Sequence, residues 1–150
     1  MDAVSYPEKS VTEFITSSMI PLRVLYNALP LANDFNVKWT PTLITLDSDG
    51  KEHHRTVGFL APDELIPSLL LGIAKTHFDL NELNEALTHL KRILSYYPKS
   101  SAAPEAIYLN GVCLYKNMND AKKLKEAYER LQTEYPSSEW AKRASPYGLL

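Results

Sequence analysis

The chain has a single cysteine, Cys113, in 150 residues. That excludes an internal disulfide framework and any zinc site built on four thiolates, and it fits a reducing compartment. Glycine is sparse, at five, and no glycine-rich phosphate-binding loop is present. Neither sign of charge dominates, with 16 Lys and Arg against 18 Asp and Glu. No basic block marks a nucleic-acid partner, and no acidic tail marks a charged one. No apolar run approaches the ~18 residues of a membrane span. Met1 to Pro7 lack the basic and apolar regions of a secretory leader. These absences predict a soluble, cytoplasmic protein with no nucleic-acid or membrane partner, no metal and no cofactor.

Hydrophobic residues make up 45% of the chain, enough for a real core. Residues 10–15 read as a short helix end with Val11, Phe14 and Ile15 apolar. Residues 20–26, Ile-Pro-Leu-Arg-Val-Leu-Tyr, alternate at their centre and read as a strand. Residues 29–35 read as a short helix. Residues 42–46 and 53–59 read as two strands joined through Asp47-Ser48-Asp49-Gly50, a turn in which glycine takes positive φ. From Pro62 the period becomes helical, with Leu65, Ile66, Leu69, Leu70, Ile73 and Ala74 in one stripe. Pro67 conflicts locally with that helix and predicts a kink. Three further helices follow, with stripes over 83–97, 106–115 and 121–135. Asp120 is the expected N-cap of the last of these, and a short helix closes the chain after Ser137-Ser138.

The second half repeats itself. Ser95-Tyr96-Tyr97-Pro98-Lys99-Ser100 parallels Thr133-Glu134-Tyr135-Pro136-Ser137-Ser138, and the two prolines lie 38 residues apart. Helix-turn-helix repeats of roughly 34–40 residues carry this period. The region 69–144 resembles the tetratricopeptide class, with Tyr-Pro-X-Ser between repeats. The resemblance implies packing roles for Leu70, Ile73, Ala74, His77, Ala86, Leu90 and Ile93. In the second repeat it implies them for Ile107, Gly111, Leu114, Leu124, Tyr128 and Leu131. A generic helical hairpin bundle gives similar stripes and is the alternative. In the tetratricopeptide class the first helix of each pair lines a concave groove. That implies a groove of Leu71, Lys75 and Phe78 from one pair and Tyr108, Val112, Tyr115 and Lys116 from the next. The aromatics and lysines there suit a peptide backbone or an acidic terminus; alternatively, some of them pack against neighbouring elements.

A second resemblance covers residues 1–73. Val37-Lys38-Trp39-Thr40-Pro41-Thr42, followed by a strand, an Asp/Gly turn, a strand and a helix, resembles the second half of a thioredoxin. The resemblance implies that Pro41 is a cis-proline and that Trp39, Thr40 and Pro41 form a loop holding substrate as an extended strand. Trp39 stands where most of that family has glycine, so it either reshapes the groove or packs as core. The Cys-X-X-Cys of the family is absent from this chain, and with it the central strand. The resemblance therefore implies a truncated start and three ways to compensate: strand 20–26 closing on strand 42–46, a strand from a second copy or another protein filling the slot, or disorder at the N-terminus.

The remaining chemistry-bearing residues give little. Cys113 lies within a helix and reads as a small buried hydrophobe. His53 and His54 are neighbours on a strand and so point to opposite faces, which excludes chelation and leaves ordinary strand surface. Asp47-Ser48-Asp49-Gly50 lacks the closing glutamate of a calcium loop. His77 and His89 have no partner motif.

The expected fold is an incomplete α/β thioredoxin-like unit over 1–74 leading into an all-α tetratricopeptide-like array over 75–150, with helix 62–77 shared. The expected function is a non-catalytic protein-interaction module for extended peptides, with homodimerisation by strand pairing as one route to completing the sheet. The alternative is the C-terminal part of a thiol–disulfide oxidoreductase whose cysteines lie upstream of Met1. No active site is expected within the chain itself.

Overall fold

The computed structural model describes residues 1–150. Helices α1 (Lys9–Ser18) and α2 (Leu31–Asp34) precede an antiparallel hairpin of β1 (Thr42–Leu46) and β2 (Glu52–Val57). Five helices follow: α3 (Pro62–Asp79), α4 (Leu83–Tyr96), α5 (Ala103–Met118), α6 (Lys122–Glu134) and α7 (Glu139–Arg143). A 3₁₀ turn over Ser145–Leu149 ends the chain. Most of the ordered chain is helical, and the sheet has two strands only.

Helix α3 is buried on more than one flank. Leu65, Leu70 and Ala74 are wholly inaccessible, and Ile66, Leu69 and Leu71 nearly so. One side receives α1, through Val11 and Phe14, and the hairpin; the other receives α4, through Ala86, Leu90 and Ile93. A smaller core joins α5, α6 and α7 through Ile107, Ala127, Leu131, Ala141 and Ala144. The alanines allow close helix approach. At Gly111 a Cβ would lie 2.5 Å from the Cβ of Ala127, so only glycine lets α5 sit this near α6.

The helix boundaries follow local chemistry. Pro62 takes the first turn of α3, where its missing N–H is harmless. The helix runs on through the expected conflict at Pro67, which is itself buried. The N-cap of α6 is Ala121 rather than the expected Asp120, which stands one residue ahead of it and accepts from the backbone N–H of Lys122 at 3.0 Å. The N–H of Ala141 donates to Ser138 Oγ at 3.0 Å, which starts α7. The two Tyr-Pro turns are tied together, because the Tyr135 hydroxyl donates to the carbonyl of Pro98.

Several sequence expectations need correction. Residues 20–26 are not a strand and do not close on β1. Alternation supplies the potential for a strand, but a strand exists only when a neighbour pairs its backbone, and here none does. The peptide bond before Pro41 is cis, as expected, and so is the one before Pro30. Trp39 is 68% exposed and packs in no core. The two histidines of β2 are not ordinary surface. Thr45 pairs with His54 and Leu46 with Glu52, so His53 is the extra residue of a β-bulge. The bulge breaks the two-residue alternation, and both histidines reach helix α3.

His53 is the pin of this junction. Its side chain is wholly buried, with Nδ1 2.6 Å from Asp79 Oδ2 at the end of α3 and Nε2 2.8 Å from Asp47 Oδ2 in the hairpin turn. Hydrogen bonds first to Asp47 and then to Asp79 push the imidazole above its ordinary pKa, and the bond from His53 holds the Asp47 carboxyl below the usual carboxylate range. Gly72 completes the seam. A Cβ there would meet Thr45 Oγ1 at 2.4 Å, so the hairpin lies directly on the α3 backbone.

Two outcomes follow. Gly72→Ala should destabilise the protein by about 1–3 kcal/mol in urea unfolding, through overpacking of the hairpin. Thr45→Ala in the same chain should recover part of that loss, since it removes the clashing oxygen; no recovery would refute the seam. For His53, the raised folded pKa means its contribution is full below the unfolded value of about 6.5 and is lost as pH rises through the folded value. The stability deficit of His53→Gln relative to wild type should therefore be greatest near pH 5–6 and narrow toward alkaline pH. A pH-independent deficit would show that the charged imidazole contributes nothing.

Candidate functional site

The first helices of the two helix pairs, α3 and α5 (the A helices), lie side by side with α7 beyond them, and β2 packs along the α3 side. Between these walls is a cleft of about 490 Å³, lined by Glu52, His54, Arg55, Lys75, Glu105, Trp140 and Arg143, with His53 at its hairpin end. It is polar and open, with Trp140 its sole apolar lining residue.

Lys75 organises the floor. Its Nζ donates to Glu105 Oε1 at 2.6 Å, bridging α3 to α5, and lies 3.4 Å from His54 Nδ1. An ammonium has no acceptor capacity, so His54 Nδ1 accepts and its proton sits on Nε2. Burial, then the Lys75 charge, push the His54 imidazole down to about 4, so it is neutral at physiological pH. Thr56 Oγ1 follows at 3.4 Å and Ser68 Oγ at 3.0 Å beyond it, which extends the polar chain from α5 through α3 and β2 back to α3. On the hairpin wall Arg55 makes a two-pronged ion pair with Glu52, at 2.7 and 2.6 Å, which holds the Glu52 carboxyl below its usual range. Arg55 also donates to the carbonyl of Phe35 at 2.7 Å.

The residues singled out from sequence divide three ways. Leu71 is 3% exposed and belongs to the core of α3, because the shared helix has apolar neighbours on that side too. Tyr108 turns toward the C-terminus. Its ring lies 5.1 Å from that of Trp140 and 5.7 Å from that of Tyr147, and its hydroxyl is 2.9 Å from the Tyr147 hydroxyl. Lys75 lies on the cleft floor. Phe78 and Lys116 are joined, the ammonium standing 4.7 Å above the ring, and Lys116 has no carboxylate partner among the ion pairs of the chain. Tyr115 is exposed and Val112 half-buried. Trp39, Thr40 and Pro41 lie ahead of β1, where Thr42 Oγ1 donates to the Trp39 carbonyl at 2.6 Å.

Sequence reasoning missed Glu105, Trp140, Arg143 and the hairpin wall. Glu105 begins the second repeat one turn before Tyr108 and could have been read from the same register. Trp140 and Arg143 come from the short last helix, and only the superhelical return of the array brings them to this face. Arg143 stands 4.8 Å above the Trp140 ring and is paired with Glu139.

Elsewhere, His77 and His89 stack at 5.4 Å, with His77 Nδ1 2.6 Å from Glu82 Oε2. Cys113 is fully buried, and burial pushes its thiol up to about 11, so it is held as the inert thiol. No cluster of three or more His, Cys, Asp or Glu with metal-binding geometry is present, and no helix is long and apolar enough to cross a membrane.

Comparison with known families finds the tetratricopeptide repeat at residues 68–100 and 105–138. No thioredoxin-like family or homologue supports the resemblance seen in residues 1–73. No curated protein and no solved structure matches the chain. The two matched segments run from α3 into α4 and from α5 through α6, which are the helix pairs that frame the cleft. Two segments of the chain thus match the tetratricopeptide repeat; α7 follows the second, and the first helix of the first packs against a two-stranded hairpin.

Proposed function

We propose that the chain is a non-catalytic protein-interaction module that holds an extended peptide along the face formed by α3, α5 and α7. Tetratricopeptide repeats typically mediate protein–protein interactions. The observation that carries the reading here is the open polar cleft on the A-helix face, walled by β2. The cations of its lining are paired within the chain, Arg55 with Glu52, Lys75 with Glu105 and Arg143 with Glu139. Lys116 adds an unpaired cation above Phe78. His54 stays neutral and supplies hydrogen bonds rather than charge. Such a surface favours a peptide with backbone groups to satisfy and at least one carboxylate.

Phe78, Val112, Tyr115 and Lys116 form the apolar and cationic end of the groove, and Lys75 its polar centre. Tyr108 acts as a support, since its ring is engaged by Trp140 and Tyr147. The domain division that goes with this reading puts residues 1–74 in a hairpin-bearing unit and 75–150 in the repeat array, with α3 common to both. Trp39, Thr40 and Pro41 offer a second contact for extended chain, supported by the exposure of the Trp39 ring beside β1. The redox reading has no carrier in this chain, because its one thiol is buried and protonated.

Selection of linear peptides from a displayed library should yield binders containing Asp, Glu or a free C-terminal carboxylate. Lys116→Ala should weaken the selected peptides by about tenfold or more, in line with loss of a charged anchor contact. Amide shifts on peptide addition should centre on α3 and α5. Binders that map to α4 and α6, or that ignore Lys116→Ala and Lys75→Ala alike, would overturn the reading.

A further inference from the structure

The most exposed apolar surface of the molecule lies outside the repeats. Of eighteen exposed large hydrophobic residues, eleven fall between Ile20 and Phe59, and Ile20 itself is 96% exposed. Within residues 20–26 no backbone N–H donates to any acceptor in the chain, and only the Leu25 carbonyl accepts a bond, from Ala28. Strand β1 pairs on one side only, with β2, and none of its five residues is buried. An extended apolar segment with free backbone groups and an apolar strand with a free edge are thus present in one chain, unpaired with each other.

The surface area says how much is uncovered. The chain exposes 9184 Å². A compact folded monomer of its mass, 17.0 kDa, exposes about 7,700 Å². The excess is about 1,500 Å², and a stable protein–protein interface buries about 800 Å² on each partner. One interface of ordinary size would absorb half the excess or more.

We propose that the occupant is a second copy of this chain. Residues 20–26 of each protomer add as a strand to the free edge of β1 in the other, giving a closed two-fold pair. The charge pattern selects this pairing over the simpler one. If residues 20–26 paired antiparallel with themselves about Arg23, the two arginines would lie directly opposite, which is unfavourable. Strand β1, Thr-Leu-Ile-Thr-Leu, has no charge to meet Arg23, and Arg23 already has Asp2 of its own chain at 2.7 Å. Leu22, Val24 and Tyr26 share one face of the incoming strand by two-residue alternation. The exposed Trp39, Val57 and Phe59 at the start of β1 and end of β2 supply apolar surface to cover them. This identifies the extended chain held beside Trp39, Thr40 and Pro41. It is independent of peptide binding on the A-helix face, since it uses none of those residues.

The test is the oligomeric state of the full chain by light scattering after size exclusion, across micromolar concentrations. The expected mass is twice 17.0 kDa. Val24→Pro removes a backbone N–H that has no partner within the chain and should shift the protein to monomer with unchanged helical circular dichroism; Leu22→Lys should do the same without any backbone change. In a Cys113→Ala background, a Val24→Cys chain mixed with chains carrying a cysteine in place of Leu43, Ile44 or Thr45 should form a mixed disulfide in at least one pairing. A wild-type chain of monomer mass throughout, an open ladder of oligomers, or disulfides only between two Val24→Cys chains would each overturn the proposal. None of these outcomes bears on Lys116 and the selected peptides, so the two readings fail separately.

Discussion

Helix α3 must bury two unlike surfaces at once, and the rest of the structure depends on that constraint. A two-stranded hairpin is at best marginally stable alone in water, and a single helix pair of a repeat array cannot enclose its own core. Each finds its missing neighbour in α3. Leucines and alanines serve the repeat side, while Gly72 and the Asp79 carboxylate at the helix end serve the hairpin. The helix is therefore apolar around most of its girth, which is why one of its expected groove residues, Leu71, is enclosed.

The same constraint creates the cleft. Two repeats alone present a shallow concave face, because curvature accumulates only with repeat number. With the hairpin pressed onto α3, β2 becomes a side wall and gives depth that the array lacks. The contact also sets the electrostatics. His53 stands between two carboxylates that favour its protonated form, whereas His54, one residue on, is desolvated beside Lys75 and kept neutral. One bulged residue thus separates a pinning imidazole from a neutral hydrogen-bonding group at the cleft floor. Removing the hairpin would expose Lys75 and uncouple it from His54.

What could be read from the sequence is what local period and punctuation determine. The two Tyr-Pro turns, 38 residues apart, mark repeats because a proline just after a helical stripe cannot donate the next helix hydrogen bond, and the stripes from Leu70 to Leu131 follow from side-chain geometry alone. The hairpin was legible for the same reason: Asp47 and Gly50 specify a turn, and Thr42–Leu46 is a strand in sequence and structure alike. The failures lie where a partner decides. Residues 20–26 alternate like a strand, yet no neighbour pairs them. The bulge at His53 depends on Asp79, 26 positions away, and no local pattern announces it. Trp140 and Arg143 reach the cleft only through the superhelical path of the array. The resemblance of residues 1–73 to a thioredoxin anticipated the order of the hairpin and α3 and a cis bond before Pro41, but the sheet it implies is not formed by these two strands.

The division of surfaces argues that the two ends of the molecule meet different kinds of partner. The cleft is lined by ion pairs already closed within the chain, Arg55 with Glu52 and Lys75 with Glu105. A ligand there competes with existing contacts and gains mainly by orientation and specificity. The apolar side chains exposed between Ile20 and Phe59 have no ion pairs to give up, and the backbone N–H groups of residues 20–26 have no partner within the chain. Covering it releases water from apolar side chains and replaces solvent bonds with a strand ladder, a gain that scales with area and needs no particular side-chain chemistry. On the proposed reading, selective recognition falls to the repeat face and burial of apolar area to the open edge of the hairpin, with α3 packed against both units.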